Sequence, residues 1–372
     1  MEGNGWSEMN CLLNKTLKPN NEEVYISENE PVNFKLPAGI KYKVYDNRGY
    51  GGTGGKGGMT LELKEEMMEF IRRNDRTDSG NVTELSEESL NRIIGTRSIV
   101  IVLVENNKII GTIISLIFRV QYKNEEKSEI LDFLTTYTTF LCVDGNYREK
   151  GLAMCLIRGM MKYGHKRYGI QHGYYMTYKQ HHSVNEQIKS WYRPINIQKV
   201  SNAGFTVQSF PQKYKRDIKM NERLGYHIGK PKIEGVKCTS KNYEKVKEIM
   251  KKGEIYLNPT EEEYKWLCEC FDIYTVGSDK MFMLFPLTSL ISSTNCRVTN
   301  AQLALMIGDA LPQVLWTAKE SGYDLLYGWY GGDITELRVE AIKGLKTIGK
   351  GYLEIYNSKR MINAKDMMVP IF

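Results

Sequence analysis

The chemistry most visible in the chain lies in Arg148-x-x-Gly151-x-Ala153, one basic and two small residues placed where an apolar strand gives way to a helix. The first turn of a helix presents N–H groups without intrahelical partners at the positive end of the helix dipole, and the two together bind phosphate. Small residues at Gly151 and Ala153 let the backbone approach such a ligand, while Arg148 and Lys150 add fixed positive charge. The spacing predicts an anion site suited to a pyrophosphate. Other motifs fall away. The run Gly49-Tyr-Gly-Gly-Thr-Gly-Gly-Lys-Gly-Gly58 misses the G-x-x-x-x-G-K-[ST] spacing and reads as a connector. His181-His182 has no Cys or carboxylate at ligand spacing, so no metal site is expected, and no Ser-His-Asp or Cys-His arrangement stands out.

The elements that must position this loop are legible around it. Two β-branched runs, from Ser98 to Glu105 and from Lys108 to Val120, flank Asn106-Asn107 and predict an antiparallel hairpin. A strand from Thr135 to Val143 follows the charged turn Lys123–Lys127 and leads into Asp144-Gly-Asn-Tyr-Arg-Glu-Lys-Gly-Leu-Ala153. The helix beyond has a stripe of Leu152, Leu156, Met160 and Tyr163. An earlier helix starts at Thr60, with Leu63, Met67, Phe70 and Ile71 at helical spacing. Beyond a connector near Gly225–Pro231 we read helices at 241–252 and 260–270 and strands near 273–276 and 281–285. A helix at 300–321, a strand at 323–329, a helix at 335–344 and a strand at 351–356 complete the order. That order loosely repeats the first half.

The 372 residues exceed what one core usually organises and suggest two halves. An apolar fraction of 41%, with 24 Tyr and 11 Phe, is that of a folded globular chain. Lys and Arg exceed Asp and Glu by 51 to 44, a balance that suits an anionic cofactor as well as nucleic acid. Seven Cys without a C-x-x-C pair point to reduced thiols. No run approaches the roughly 18 apolar residues of a membrane span, and the start MEGNGWSEMN has neither a signal-peptide pattern nor a Met-Gly acylation site. We expect a soluble, cytoplasmic monomer.

Behind its hairpin and strand, the Arg148–Ala153 loop resembles the coenzyme A pyrophosphate loop of the GNAT superfamily. The longer segment Phe140-Leu-Cys-Val-Asp-Gly-Asn-Tyr-Arg-Glu-Lys-Gly-Leu-Ala-Met-Cys-Leu-Ile157 resembles the N-myristoyltransferase family. Leu36-Pro-Ala-Gly39, Tyr175-Met-Thr177, Trp191-Tyr-Arg-Pro-Ile-Asn196 and Gly351-Tyr-Leu-Glu-Ile-Tyr-Asn357 follow in the same order. The resemblance implies an α/β (α+β) fold of two tandem GNAT-like domains, each a twisted mixed sheet flanked by helices. It implies an arm at 1–35, an acyl-CoA-binding domain at 36–224 and a peptide-binding domain at 225–372. The implied activity is glycylpeptide N-tetradecanoyl transfer: myristoyl-CoA is the co-substrate, no cofactor is tightly bound, and the partners are proteins with an N-terminal Gly, not nucleic acid.

The resemblance also implies roles for individual residues. The main-chain N–H groups of Phe140 and Leu141 would form an oxyanion hole. The carboxylate of Phe372, at the chain's end, would take the proton of an amine that is mostly ammonium at neutral pH. Cys142, Val143, Arg148, Glu149, Lys150, Gly151, Leu152 and Ala153 would hold the acyl-CoA. Asp75, Asp78, Thr177, Trp191, Tyr192 and Thr288 would face the peptide, although aromatics such as Trp191, Tyr192 and Trp329 are more often core. Thr139, Glu149 and Gly151 depart from the family pattern. Two other readings stay open: a GNAT enzyme acting on lysine or a small amine, and an acyl-CoA-binding protein without activity.

Overall fold

A computed structural model describes residues 36–46, 59–75, 82–84, 86–94, 97–124, 129–177, 186–203, 228–291, 294–342, 345–356 and 367–370. The first half runs β1 (Ile40–Asp46), α1 (Leu61–Asn74), β2 (Val82–Glu84), α2 (Glu87–Ile93), β3 (Ser98–Glu105), β4 (Lys108–Asn124), β5 (Glu129–Val143), α3 (Leu152–Tyr168), β6 (His172–Thr177), β7 (Glu186–Pro194) and α4 (Ile197–Asn202). The second opens with β8 (Val236–Lys237), α5 (Tyr243–Met250), β9 (Ile255–Leu257), α6 (Glu261–Cys270), β10 (Asp272–Val276), β11 (Lys280–Ile291) and β12 (Cys296–Ile307). It continues through α7 (Leu311–Glu320), β13 (Leu325–Trp329), α8 (Glu336–Ala341), β14 (Leu345–Tyr356) and β15 (Met367–Met368).

Local chemistry sets the boundaries. Asn106 and Asn107, both in the left-handed region at φ 50° and 62°, form the two-residue turn between β3 and β4. Thr60, Ser86, Thr260 and Thr335 cap α1, α2, α6 and α8, each side-chain oxygen accepting a first-turn N–H.

The strands line up as β1-β3-β4-β5-β6-β14-β7-β13-β12-β11-β10-β8, with β9 bridging β4 to β15 and β2 lying against β11. A repeated unit underlies this order. In the first half β3, β4 and β5 are antiparallel, α3 crosses over, and β6 returns parallel to β5. In the second β10, β11 and β12 are antiparallel, α7 crosses over, and β13 returns parallel to β12. The strand that follows is exchanged between the halves: β7 pairs with β13, and β14 pairs with β6 and also with β7. The result is an α/β fold of two GNAT-like units joined edge to edge.

The core follows the same plan. Ile99, Ile101, Leu103, Leu152, Leu156 and Met160 bury α3 against one face of the first unit. Leu303, Leu311, Val314, Leu326 and Val339 do the same around α7 in the second. A shared cluster joins both units, from Met67, Phe70 and Val102 to Tyr264, Ile273 and Met283.

One sequence expectation is corrected. The stretch from Asn300 to Ser321 is not one helix: Cys296–Ile307 is strand β12, and only Leu311–Glu320 is helical. Asn300-Ala-Gln-Leu-Ala-Leu-Met-Ile307 contains good helix formers, but β12 lies between β11 and β13 and is buried almost throughout its second half. An apolar run buried on both faces carries no period that separates strand from helix. The last long strand also begins earlier than expected, at Leu345.

Candidate active site

The parallel ladder of β5 and β6 is short, from Thr135 opposite His172 to Thr138 opposite Tyr175. Beyond it β5 runs on to Val143 while β6 stays with β14 as far as Thr177. The two strands part, and a wedge opens between them. On its other edge β5 carries a bulge at the same level, because Thr112 pairs with Cys142 and Ile114 with Thr139. Phe140 and Leu141 therefore face the single residue Ile113, and the ladder is locally disrupted. Phe140 has φ 49°, the left-handed conformation that an L side chain adopts at a cost of about 1–2 kcal/mol. Its ring packs against the shared core and Leu141 is 38% exposed, so the bulge is anchored on one side and open on the other. Main-chain N–H groups freed from a ladder beside an open wedge can donate to an oxyanion.

The loop after β5 is built to hold its shape. Asp144 accepts the Asn146 N–H at 2.9 Å and starts a single 3-10 turn, Gly145–Tyr147. Tyr147 donates its hydroxyl to Glu105 of β3, and the Lys150 ammonium lies 4.7 Å from the Tyr147 ring centre. Arg148 donates through Nε to the Val143 carbonyl at 3.4 Å and through Nη2 to the Asn74 carbonyl at 3.5 Å, tying the loop to the end of α1. Gly151, at φ 75°, turns the chain into α3.

That helix start differs from those named above, since no side chain caps it and its first turn holds no acid. Arg148, Glu149, Lys150 and Gly151 are all exposed in front of it. A helix of 17 residues with an uncapped, basic-flanked N-terminus is suited to an external anion. The equivalent turn of the second unit is filled from within. There the Gly308 N–H donates to Asp333 Oδ2 at 2.6 Å, and Arg338 balances that carboxylate at 3.1 Å. Sequence reading missed this difference, because nothing at Asp333 marks it as the filler of a turn 25 residues earlier.

The thiols near the wedge are not poised as nucleophiles. Burial pushes the Cys142 thiol far up, the charge of Asp75 adds to that, and Arg148 opposes it weakly. Cys155 is raised mainly by burial as well. Buried, protonated thiols of this kind are inert.

A buried tail completes the site. Met367 and Met368 pair in parallel with Ile255 and Tyr256 of β9, and residues 367–370 are all buried. Met367 and Val369 line a cavity of about 20 Å³ with Leu303–Met306 of β12 and Trp329 of β13, the level at which the second unit's parallel strands part. Gly332 admits the tail: a Cβ there would meet Met368 Sδ at 3.0 Å. The tail then reaches the first unit, where Tyr174 of β6 donates its hydroxyl to the Pro370 carbonyl at 3.1 Å. Tyr174 stands opposite Tyr137 of β5, with ring centres 5.2 Å apart, at the mouth of the wedge. Neither tyrosine was singled out in the sequence, where they look like ordinary strand aromatics. Phe372 lies outside the described residues.

The other expected residues are distributed as follows. Val143 and Ala153 are half-buried, and Leu152 is buried under α3. Asp75 caps the end of α1, beside Cys142 and Arg148, and so adjoins the anion loop. Asp78 lies outside the described residues. Thr177 ends β6 opposite Tyr352 of β14. Thr288 is half-buried on β11 between Thr299 and Glu84. Trp191 is fully buried and belongs to the second unit's core, and Tyr192 beside it is half-buried against Val200 and Leu325. The histidines at 181–182 lie outside the described residues. Among the described residues no group of three His, Cys, Asp or Glu is placed to hold a metal, and no helix is long and apolar enough to cross a membrane.

Comparison with known proteins follows the same lines. No protein-family model matches the chain. A provisionally described glycylpeptide N-tetradecanoyltransferase of Melanoplus sanguinipes entomopoxvirus is 29% identical over 117 residues, 32% of this chain and 33% of that protein. The match thus spans a third of the relative's length. Among solved structures, N-myristoyltransferase of Saccharomyces cerevisiae with bound myristoyl-CoA superposes with a TM-score of 0.71 at 15% identity, covering 91% of this chain and 86% of that one. A second structure of the same yeast protein with myristoyl-CoA gives 0.71 at 16% identity, covering 91% and 90%. A third, with myristoyl-CoA and inhibitors, gives 0.69 at 15%, covering 91% and 87%. The chain has the fold of these N-myristoyltransferases.

Proposed function

We propose that this chain, folded as N-myristoyltransferases are, is a glycylpeptide N-tetradecanoyltransferase that moves the acyl group of myristoyl-CoA to the N-terminal glycine amine of substrate proteins. The observation that carries the reading is the pairing of two open features on consecutive elements. The bulge at Phe140 opens into the wedge, and the uncapped start of α3 at Gly151 follows it. A thioester that places its pyrophosphate on the second presents its carbonyl to the first. The resemblance of Phe140–Ile157 to the family and the relative's name point the same way.

In this reading residues 36–224 bind the acyl-CoA and residues 225–372 contribute most of the peptide site. Arg148, Lys150 and the first-turn N–H groups of α3 hold the phosphates, with Cys142, Val143, Glu149, Leu152 and Ala153 shaping that segment. The amine nitrogen attacks the thioester carbon, and its oxygen gathers negative charge against the Phe140 and Leu141 N–H groups, each contributing about 3 kcal/mol. The Phe372 carboxylate takes one proton from the glycine ammonium and so frees the amine for attack; when the carbon–sulfur bond then breaks, the nitrogen's second proton goes to the departing sulfur and coenzyme A leaves as its thiol. The buried tail supports that assignment because Pro370, two residues earlier, is already held at the wedge by Tyr174. Asp75, Asp78, Thr177, Tyr192 and Thr288 are the peptide-facing candidates, and Trp191 serves as the wall behind them. The enzyme works as a cytoplasmic monomer with no resident cofactor.

Incubation with myristoyl-CoA and a panel of peptides, read by mass spectrometry with fragmentation, tests the proposal. The expected product carries the acyl group on the α-amine of an N-terminal glycine. Acylation of lysine side chains, or preference for acetyl-CoA over myristoyl-CoA, would move the protein to another GNAT activity.

A further inference from the structure

Helix α3 carries Arg158, Lys162, Lys166 and Arg167 and no Asp or Glu, a charge of +4 within a chain whose net charge is +7. Arg158, Met161, Lys162, His165 and Lys166 recur at i, i+3, i+4, i+7 and i+8 and so share one face. That face is turned away from the core, because Leu152, Leu156 and Met160 bury the opposite side. Lys162, Lys166 and Arg167 are exposed, and Arg158, Met161 and His165 are half-buried. Asp46 of β1, an acid beside the end of the helix, is engaged by the hydroxyls of Tyr163, at 3.0 Å, and Tyr168. Basic residues in a last turn complement the helix dipole. That accounts for residues 165–167 but not for Lys162, which lies a turn earlier.

We propose that this face docks on an anionic lipid bilayer. Juxtaposed basic residues are drawn to acidic headgroups, each Lys or Arg strengthening binding about fivefold. A methionine among them fits an interface better than a purely solvated stripe does. Nucleic acid is disfavoured because the ring on this stripe, Tyr168, is half-buried, ties its hydroxyl to Asp46 and is covered by the Arg167 guanidinium, 5.9 Å from its centre, and so offers bases no open platform. The choice of a bilayer rests on the acyl-CoA reading. A myristoyl thioester is an amphiphile that partitions into membranes, and α3 begins at the loop assigned to its phosphates. A helix lying along the membrane surface holds that loop where the co-substrate resides.

The test is co-sedimentation of the full chain, without acyl-CoA, with phosphatidylcholine vesicles that contain or lack phosphatidylserine. Binding is expected only to the anionic vesicles and should weaken as salt rises. The combined variant Lys162→Gln, Lys166→Gln should bind about 25-fold more weakly while retaining turnover on soluble substrates. Gly151→Glu should lose acyl-CoA affinity and keep vesicle binding, so the two readings fail separately. Equal binding to both vesicle types, undiminished binding by the double variant, or binding to single-stranded RNA but not to vesicles would each overturn the proposal.

Discussion

Tyr174 on β6 donates its buried hydroxyl to the carbonyl of Pro370, 196 residues later, and so fastens the tail at the mouth of the wedge. Tyr174→Phe removes the donor and leaves the carbonyl without it, a cost of about 1–3 kcal/mol. If the tail delivers the base, turnover in this variant should fall well beyond what the loss of melting temperature explains, with acyl-CoA affinity nearly intact. An extension appended after Phe372 should do the same, lowering turnover about 10²–10⁴-fold, whereas Phe372→Leu should be mild. Full activity in the extended protein would remove the C-terminal base from the mechanism.

Stability should decline in alkali. Burial raises the hydroxyl pKa of Tyr174, Tyr264 and Tyr42 and pushes Tyr323 up to about 12; burial likewise raises the thiols of Cys142 and Cys270. Each group keeps its proton in the folded state at a pH where the unfolded chain has lost it. The stability is therefore fully present below the unfolded values, roughly 8.5 for Cys and 10 for Tyr, and is lost as pH rises towards the folded ones. Each such proton steepens the fall by about 1.4 kcal/mol per pH unit. Urea midpoints taken from pH 8 to 11 should drop progressively, and less steeply for Tyr174→Phe. A flat profile would contradict the buried, proton-retaining positions of these groups.

Gly151 separates backbone shape from charge. A Cβ at this position meets nothing within 4 Å, so the effect of substitution comes from its φ of 75° and not from crowding. Gly151→Asn, which tolerates the left-handed region, should keep most of the acyl-CoA affinity. Gly151→Ala should lose several-fold, and Gly151→Glu should lose most of it by placing a carboxylate where phosphate is expected. Calorimetric titration with myristoyl-CoA gives the ranking; equal affinities across the series would sink the anion assignment.

Exchange of β7 and β14 makes the two units mutually dependent. A protease site engineered between residues 224 and 225 should, when cut, yield two fragments that co-elute as one particle. Either fragment expressed alone should aggregate, since each would expose a strand edge and half of the shared core. Two soluble, separately folded fragments would refute the interlocked architecture.

What the sequence disclosed was local chemistry. Asn106-Asn107, the cap at Thr60 and the Arg148–Ala153 loop could be read because each keeps its cause within a few consecutive residues. β12 could not, because its strand conformation comes from two neighbouring strands and not from its own helix-forming residues. The Asp333–Gly308 bond, the strand exchange and the Tyr174–Pro370 bond join positions far apart in the chain, and no periodicity records them. Trp191 shows the remaining ambiguity: an aromatic beside a candidate groove reads the same from sequence whether it lines the groove or, as here, packs wholly behind it.

The central claim is that an amine, held at the Phe140 wedge, breaks the thioester directly. Release of free coenzyme A thiol from myristoyl-CoA, followed continuously with a thiol reagent, tests it most directly. The account predicts rapid release with a peptide bearing a free N-terminal glycine and little release with the same peptide N-acetylated or with no peptide. Release at the same rate in all three cases would mark a thioester hydrolase, and no release with any glycine peptide would mark a protein that binds acyl-CoA without transferring it.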